Sequence, residues 1–236
     1  MRFVTWNVQW FDRLFDPQGQ LLADEGRGGR EGVTRREQAE GIAVVLQALD
    51  ADAVLVIEAP DARRMVNGVP ALGHFAGLAG LRARSVLMGF PSFSGQEIAL
   101  LFDPARLEAR HDPQTGEPPR FDGVFRVDLD GNGRADPVRW AKPPLEAEIR
   151  TDTGRRLRLI GVHAKSKVSG KPRSREQEIR VAIANRRKQL AQCLWLRARI
   201  DRHLAAGESL IVMGDFNDGQ GWTNTRRCSA APGWRS

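Results

Sequence analysis

Cysteine is scarce in this chain, and the two present, Cys193 and Cys228, have none of the short spacings that build a zinc site. Cys193 falls in a predicted helix, where a buried thiol is the expected role. No apolar run approaches the ~18 residues of a membrane span. The start, Met1-Arg2-Phe3-Val4-Thr5-Trp6-Asn7, lacks the apolar core and cleavage site of a signal peptide, which points to a cytoplasmic location. Internal repeats and low-complexity segments are absent, and no protein partner is inferable. Phe121, Phe125 and Trp140 could share a loop, but there is no concentrated aromatic hairpin for membrane insertion. The four histidines end at His203.

What is present is an ordinary globular composition: 236 residues, 41% hydrophobic and 28% charged, enough for one substantial core. A net charge of +7 favours polyanionic partners such as nucleic acid or anionic head groups, although its arginine content also fits a biased genomic composition.

Residues 2 to 8 read as a first strand, followed from Asp16 to Val33 by a glycine-rich polar stretch too irregular for an element. Thr34 and Glu37 form a capping box for a helix carrying Ala39, Ile42, Ala43, Leu46 and Leu49 at helical spacing. Residues 53 to 58 make a fully buried strand, and strands follow near 84 to 90 and 97 to 103. Asp103-Pro104 closes the latter, and Leu107 to His111 is expected to pair back onto the same sheet.

Strands are also predicted from Leu145 to Thr151 and from Arg156 to His163. A long helix runs from Arg175 to Ala206, with Ile179, Ala182, Ile183, Leu190, Leu194 and Ile200 as its inner stripe. The last strand begins at Leu210. Hairpins mixed with crossovers favour an α/β fold of two packed sheets flanked by helices over one doubly wound sheet.

Four buried strands end in a polar residue of catalytic type: Asn7, Glu58, His163 and Asp215. Singly, each has a structural explanation, as a turn partner, a cap or a satisfied core histidine. Together they point to a site, because several buried polar groups at adjacent strand ends need each other or a ligand. In the last strand, Asp215 and Asn217 are at i and i+2 and share a face, an arrangement suited to phosphate and a hard metal ion.

The motifs Thr5-Trp6-Asn7-Val8-Gln9, Ile57-Glu58, Gly161-Val162-His163-Ala164-Lys165-Ser166-Lys167 and Gly214-Asp215-Phe216-Asn217-Asp218 resemble successive motifs of the endonuclease/exonuclease/phosphatase superfamily, the deoxyribonuclease I-like proteins. The resemblance implies a four-layered α/β sandwich and a Mg²⁺-dependent phosphodiesterase, with Mn²⁺ as an alternative ion, acting on nucleic acid or another phosphate ester. Phosphomonoesterases and lipid phosphodiesterases share that chemistry.

By the same resemblance, Glu58 is the principal metal ligand, with Asn7 beside it on metal or phosphate. Asp215 orients or deprotonates the attacking water, Asn217 holds the phosphate or that water, and His163 contacts the phosphate as a charged or neutral donor. Lys165 and Lys167 either hold flanking phosphates or form a solvated basic surface.

The family's closing Ser-Asp-His motif has no counterpart after Asp218. The expectation is a single domain over residues 1–224 whose C-terminal strands are missing, followed by an irregular tail over 225–236. Loss of a general base worth about 10²–10⁴ in rate predicts weak metal binding and slow turnover. The competing reading is an inert polyanion-binding module or a nonfunctional fragment.

A second candidate site is Asp128-Leu129-Asp130-Gly131-Asn132-Gly133-Arg134-Ala135-Asp136, which resembles a short Ca²⁺ loop with oxygen side chains at Asp128, Asp130, Asn132 and Asp136. It lacks the distal glutamate of an EF-hand. The alternative is a plain hairpin in which Asn132-Gly133 supplies the positive φ angles.

Overall fold

A computed structural model describes residues 1–60, 67–92, 95–166 and 174–218. Strands β1 (Phe3–Asn7), β2 (Ala53–Pro60), β3 (Ser85–Met88) and β4 (Gln96–Phe102) form one sheet in the order β1-β2-β4-β3. Strand β5 (Leu107–His111) opens a second sheet, and β6 (Phe125–Val127) pairs with β7 (Asp136–Val138) as a separate hairpin. Strands β8 (Leu145–Thr151), β9 (Arg156–His163) and β10 (Leu210–Asp215) complete the second sheet in the order β10-β9-β8-β5.

The two sheets pack face to face, and alternation along each strand decides what fills the space between them. From β2, Ala53, Leu55 and Ile57 point inward and meet Leu145, Ala147, Ile149 and Leu159 of the second sheet. The intervening Val54 and Val56 point outward beneath helices α1 (Arg35–Leu49) and α2 (Gly68–Leu78). Buried on both faces, β2 therefore reads as an unbroken apolar run. On the outer face of the second sheet, Ile160 and Val162 pack with Trp195 and Leu196 of helix α3 (Arg175–Ala205). The layers run helix, sheet, sheet, helix, giving the expected four-layered sandwich. Gly161 lies where the sheets are closest, since a Cβ there would sit 2.6 Å from Leu55 Cδ1.

The capping box at Thr34 and Glu37 is present, and α1 buries Ala39, Ile42 and Leu46. Helix α2 has no counterpart in the sequence reading. Pro70, Gly73 and Gly77 weaken its helical pattern, but it is held by burying Ala71, Leu72, Phe75 and Ala76. Strand β5 does not return to the first sheet. After the Asp103 turn it pairs antiparallel with β8, from Leu107 opposite Thr151 to His111 opposite Ala147.

The inner stripe of α3 is corrected more substantially. Ile179 and Ile183 are more than half exposed, whereas Asn185, Gln189, Gln192, Arg199 and His203 are buried at helical spacing beside Leu196. Gln189, Gln192, Arg199 and His203 reach backbone groups and carboxylates, and of the expected stripe Ile200 packs on the core, so a stripe defined by hydropathy misses the polar part of the buried face. Among the described residues, no helix is long and apolar enough to cross a membrane.

Candidate active site

The geometry of the site follows from two parallel strand pairs that finish at the same edge of the sandwich. Strand β1 runs parallel to β2 with Asn7 opposite Ile57, and β9 runs parallel to β10 with His163 opposite Asp215. The Asn7 amide Nδ2 donates to Asp215 Oδ2 at 2.9 Å, joining the last residue of one sheet's edge strand to the last residue of the other's. Asn7, Glu58, His163 and Asp215 are brought together, although β2 runs past Glu58 to Pro60 and does not end there as expected.

Glu58 enters the site through a distortion of β2. The register with β4 shifts between Ile57 and Ala59, and Glu58 itself has φ +64°. A left-handed glutamate inside a strand is an uncommon conformation that the surrounding structure must hold in place. Here it turns the carboxylate from the sheet toward the site. Asn217 is also left-handed, at φ +52°. Its backbone N–H donates to Asp215 Oδ1 at 2.9 Å and its amide Nδ2 to the Ala164 carbonyl at 3.0 Å. Asp215 thus accepts one hydrogen bond on each oxygen, and Asn217 uses part of its amide to tie the β10 exit to the β9 exit. At Gly214, φ is +141° and a Cβ would lie 2.0 Å from the Val162 carbonyl oxygen, so this approach of β10 to β9 requires glycine.

His163 Nε2 lies 3.9 Å from both Glu58 Oε1 and Asp215 Oδ2. Burial, followed by the nearby charge of Lys142, pushes the imidazole down to about 4, so it is neutral at pH 7.

Three residues at the site have no place in the sequence reading. Lys142 Nζ donates to Gln96 Oε1 at 2.9 Å and to Glu58 Oε1 at 3.3 Å, and lies 3.2 Å from His163 Nδ1. Burial lowers the ammonium's affinity for its proton, and the Glu58 carboxylate opposes this. Asp12, in a single 3-10 turn over Phe11–Leu14 just after β1, has a carboxyl pushed up by burial, with the charge of Glu58 adding to the effect. A compositional signal for Lys142 did exist. Only five of the 36 cationic residues are lysine, and four of these fall at 142, 165, 167 and 171.

Lys165 lies near enough for its charge to depress both His163 and Lys142, and its backbone N–H donates to Gln192 Oε1 of α3 at 2.8 Å. Lys167 and the tail at 225–236 lie outside the described residues.

The donor set fits a hard divalent cation. Asn7 Oδ1 is buried and accepts no hydrogen bond among the described residues, and it accompanies the carboxylates of Glu58 and Asp215. Among the described residues, no three His, Cys, Asp or Glu side chains are grouped to hold a metal ion. A full protein cage is therefore missing, whereas Mg²⁺ commonly takes one or two protein ligands with water and phosphate oxygens.

The 128–136 loop joins β6 to β7. Asp128 accepts from the backbone N–H groups of Gly131 and Gly133 at 2.8 Å each, and Asn132 Oδ1 accepts from Arg134 N. Asp130 pairs with Arg187 on α3, and Asp136 belongs to β7. Positive φ angles occur at Gly131 and Gly133, not at Asn132. Asp128 is thereby the organising acceptor of a turn, with its carboxyl held below the usual range chiefly by the Gly133 amide.

A model of the Endonuclease/Exonuclease/phosphatase family matches residues 4–236. No curated protein matches the sequence. Among solved structures, truncated Caenorhabditis elegans TDP2 is similar at 15% identity and TM-score 0.44, with 77% of this chain and 55% of that chain covered. Humanized D. rerio TDP2 is similar at 14% identity and TM-score 0.48, with 93% of this chain and 67% of that chain covered.

Proposed function

Because this chain belongs to the Endonuclease/Exonuclease/phosphatase family, we propose that it is a Mg²⁺-dependent phosphodiesterase acting on nucleic acid. The observation that carries this reading is the convergence of Asn7, Glu58, His163 and Asp215 at one edge of the two sheets, with Asn7 hydrogen-bonded to Asp215 and His163 Nε2 3.9 Å from both carboxylates. Glu58 and Asn7 Oδ1 would hold the ion. When bound, the ion polarises a phosphoryl oxygen and stabilises charge on it; Mn²⁺ offers the same chemistry.

The chain's own groups supply the rest. Asp215, fixed by hydrogen bonds on both oxygens, presents an oriented acceptor to a water at the phosphorus. Neutral His163, with Nδ1 facing the Lys142 ammonium, carries its proton on Nε2 and donates it as a hydrogen bond to a phosphate oxygen. Lys165 adds positive charge to the same edge. The net charge of +7 favours a polyanionic substrate over a neutral lipid surface.

The test is cleavage of an end-labelled DNA or RNA oligonucleotide, with a phosphomonoester and sphingomyelin vesicles as comparison substrates. Mg²⁺-dependent oligonucleotide cleavage that is abolished by EDTA is expected, with a loss of about 10²-fold or more in Glu58→Gln. Oligonucleotide binding without cleavage, unchanged by EDTA, would instead establish an inert polyanion-binding module.

A further inference from the structure

The ammonium of Lys142 sits in a pocket built for it. A lysine head group has three N–H donors, and three acceptors converge on this one: Glu58 Oε1, Gln96 Oε1 and His163 Nδ1. They come from β2, β4 and β9, so both sheets contribute. The side chain is only 13% exposed, against 17% for Glu58 and 9% for His163. A surface lysine near an acid would have neither this burial nor this saturation of donors. The oxygen of Glu58 that Lys142 contacts belongs to the group best placed to bind the divalent ion. One carboxylate oxygen is therefore shared by two prospective cations.

We propose that Lys142 is a built-in counter-cation of Glu58 that exchanges roles on metal binding. In the metal-free protein it neutralises the buried carboxylate. When a divalent ion takes Glu58, Lys142 loses that acceptor and turns the freed N–H to a non-bridging oxygen of the substrate phosphate, while Gln96 and His163 keep it anchored. This rests on the metal-dependent reading above and extends it, since it assigns Lys142 to phosphate recognition and makes metal and phosphate binding mutually supportive.

Electrostatics explains why the exchange would be coupled. An ammonium beside the ligand repels an incoming divalent ion, which weakens metal binding alone. A phosphate arriving with the ion relieves that repulsion and satisfies the ammonium. The metal would therefore bind more tightly with phosphate than without it, and by reciprocity phosphate would bind more tightly with metal. Arginine would be a poor replacement, because its planar fork cannot direct three donors to acceptors arranged around a point.

The experiment measures Mn²⁺ binding by electron paramagnetic resonance of the free ion, with and without inorganic phosphate. Wild type is compared with Lys142→Met, which keeps most of the volume and removes the charge. The expected result is about tenfold tighter Mn²⁺ binding in Lys142→Met without phosphate, and loss of the phosphate-induced tightening seen in wild type.

A second measurement needs no substitution in the protein under test. In the spectrum of chain labelled with ¹⁵N at lysine Nζ, the Lys142 ammonium resonance, assigned by its loss in Lys142→Met, should move on adding Mg²⁺ and move again on adding inorganic phosphate. Unchanged or weaker Mn²⁺ binding in Lys142→Met, or an Nζ resonance that ignores Mg²⁺, would overturn the exchange. Wild type that binds Mn²⁺ without this behaviour overturns the Lys142 proposal alone. Wild type that binds no Mn²⁺ overturns the metal-dependent reading beneath it as well.

Discussion

At the scale of single residues, charge is buried in this protein where a partner is fixed beside it. His203, almost fully buried near the end of α3, has Nε2 3.7 Å from Glu146 Oε1 and Nδ1 against Glu208 Oε2. Both nitrogens face carboxylates, so the imidazolium is favoured and its pKa is raised, chiefly by Glu146. The folded protein then holds a proton that the unfolded chain releases near pH 6.5. The stability this contributes is complete below pH 6.5 and is lost as pH rises through the raised value of the folded state.

Thermal melting should therefore fall across that window in wild type, and the His203 part of this slope should vanish in His203→Leu. The substitution itself should cost about 3 kcal/mol at pH 6, the lower end for breaking a buried pair, because Arg199 remains 3.2 Å from Glu146. Equal pH slopes for the two proteins in calorimetry would rule this out. At the active site the polar strand ends were legible in the sequence because each interrupts an apolar run. Lys142 was marked only by the scarcity of lysine, since it lies between a polar loop and Pro143-Pro144 and its acceptors come from three distant strands.

At the scale of elements, α3 acts as a polar clamp on the site's two exit loops. Gln189 Nε2 donates to the carbonyls of Phe216 at 2.8 Å and Asn217 at 3.1 Å, and Gln192 Oε1 accepts from Lys165 N. Farther along, Arg199 and Trp195 donate to the carbonyls of Pro118 and Pro119. The buried face of this helix is polar because it binds loops as well as packing on the sheet. That explains why a 3.6-residue apolar pattern located the helix yet missed most of its inner face.

Gln189→Leu should lower turnover about tenfold, by loosening the segment that aims Asp215 and Asn217 while leaving Glu58 and Asn7, the proposed metal ligands, in place. Two part-buried carbonyls lose their donor, so melting should also fall by the equivalent of about 1 kcal/mol. The check is a steady-state comparison with parallel Mn²⁺ binding. Wild-type turnover would remove the clamp from the account, and lost Mn²⁺ binding would indicate wider collapse.

At the scale of the molecule, the layer order was readable because β2 is apolar from Ala53 to Ile57 and α1 carries its own start signal. The helix α2 and the partner of β5 were hidden, the first by glycine and proline within a packed helix, the second because a turn decides which sheet a strand joins. The proposed function depends on one long-range relation, the meeting of the edge strands β1 and β10 from different sheets. If Asn7 and Asp215 serve one phosphodiester site as a unit, removing either disables it, and removing the second adds little.

The most direct measurement is the single-turnover rate of Mg²⁺-dependent oligonucleotide cleavage by wild type, Asn7→Ala, Asp215→Ala and the double variant. The account predicts that each single variant loses about 10²-fold or more and that the double variant is no slower than the worse of the two. Losses that multiply, or single variants that cleave at the wild-type rate, would contradict it.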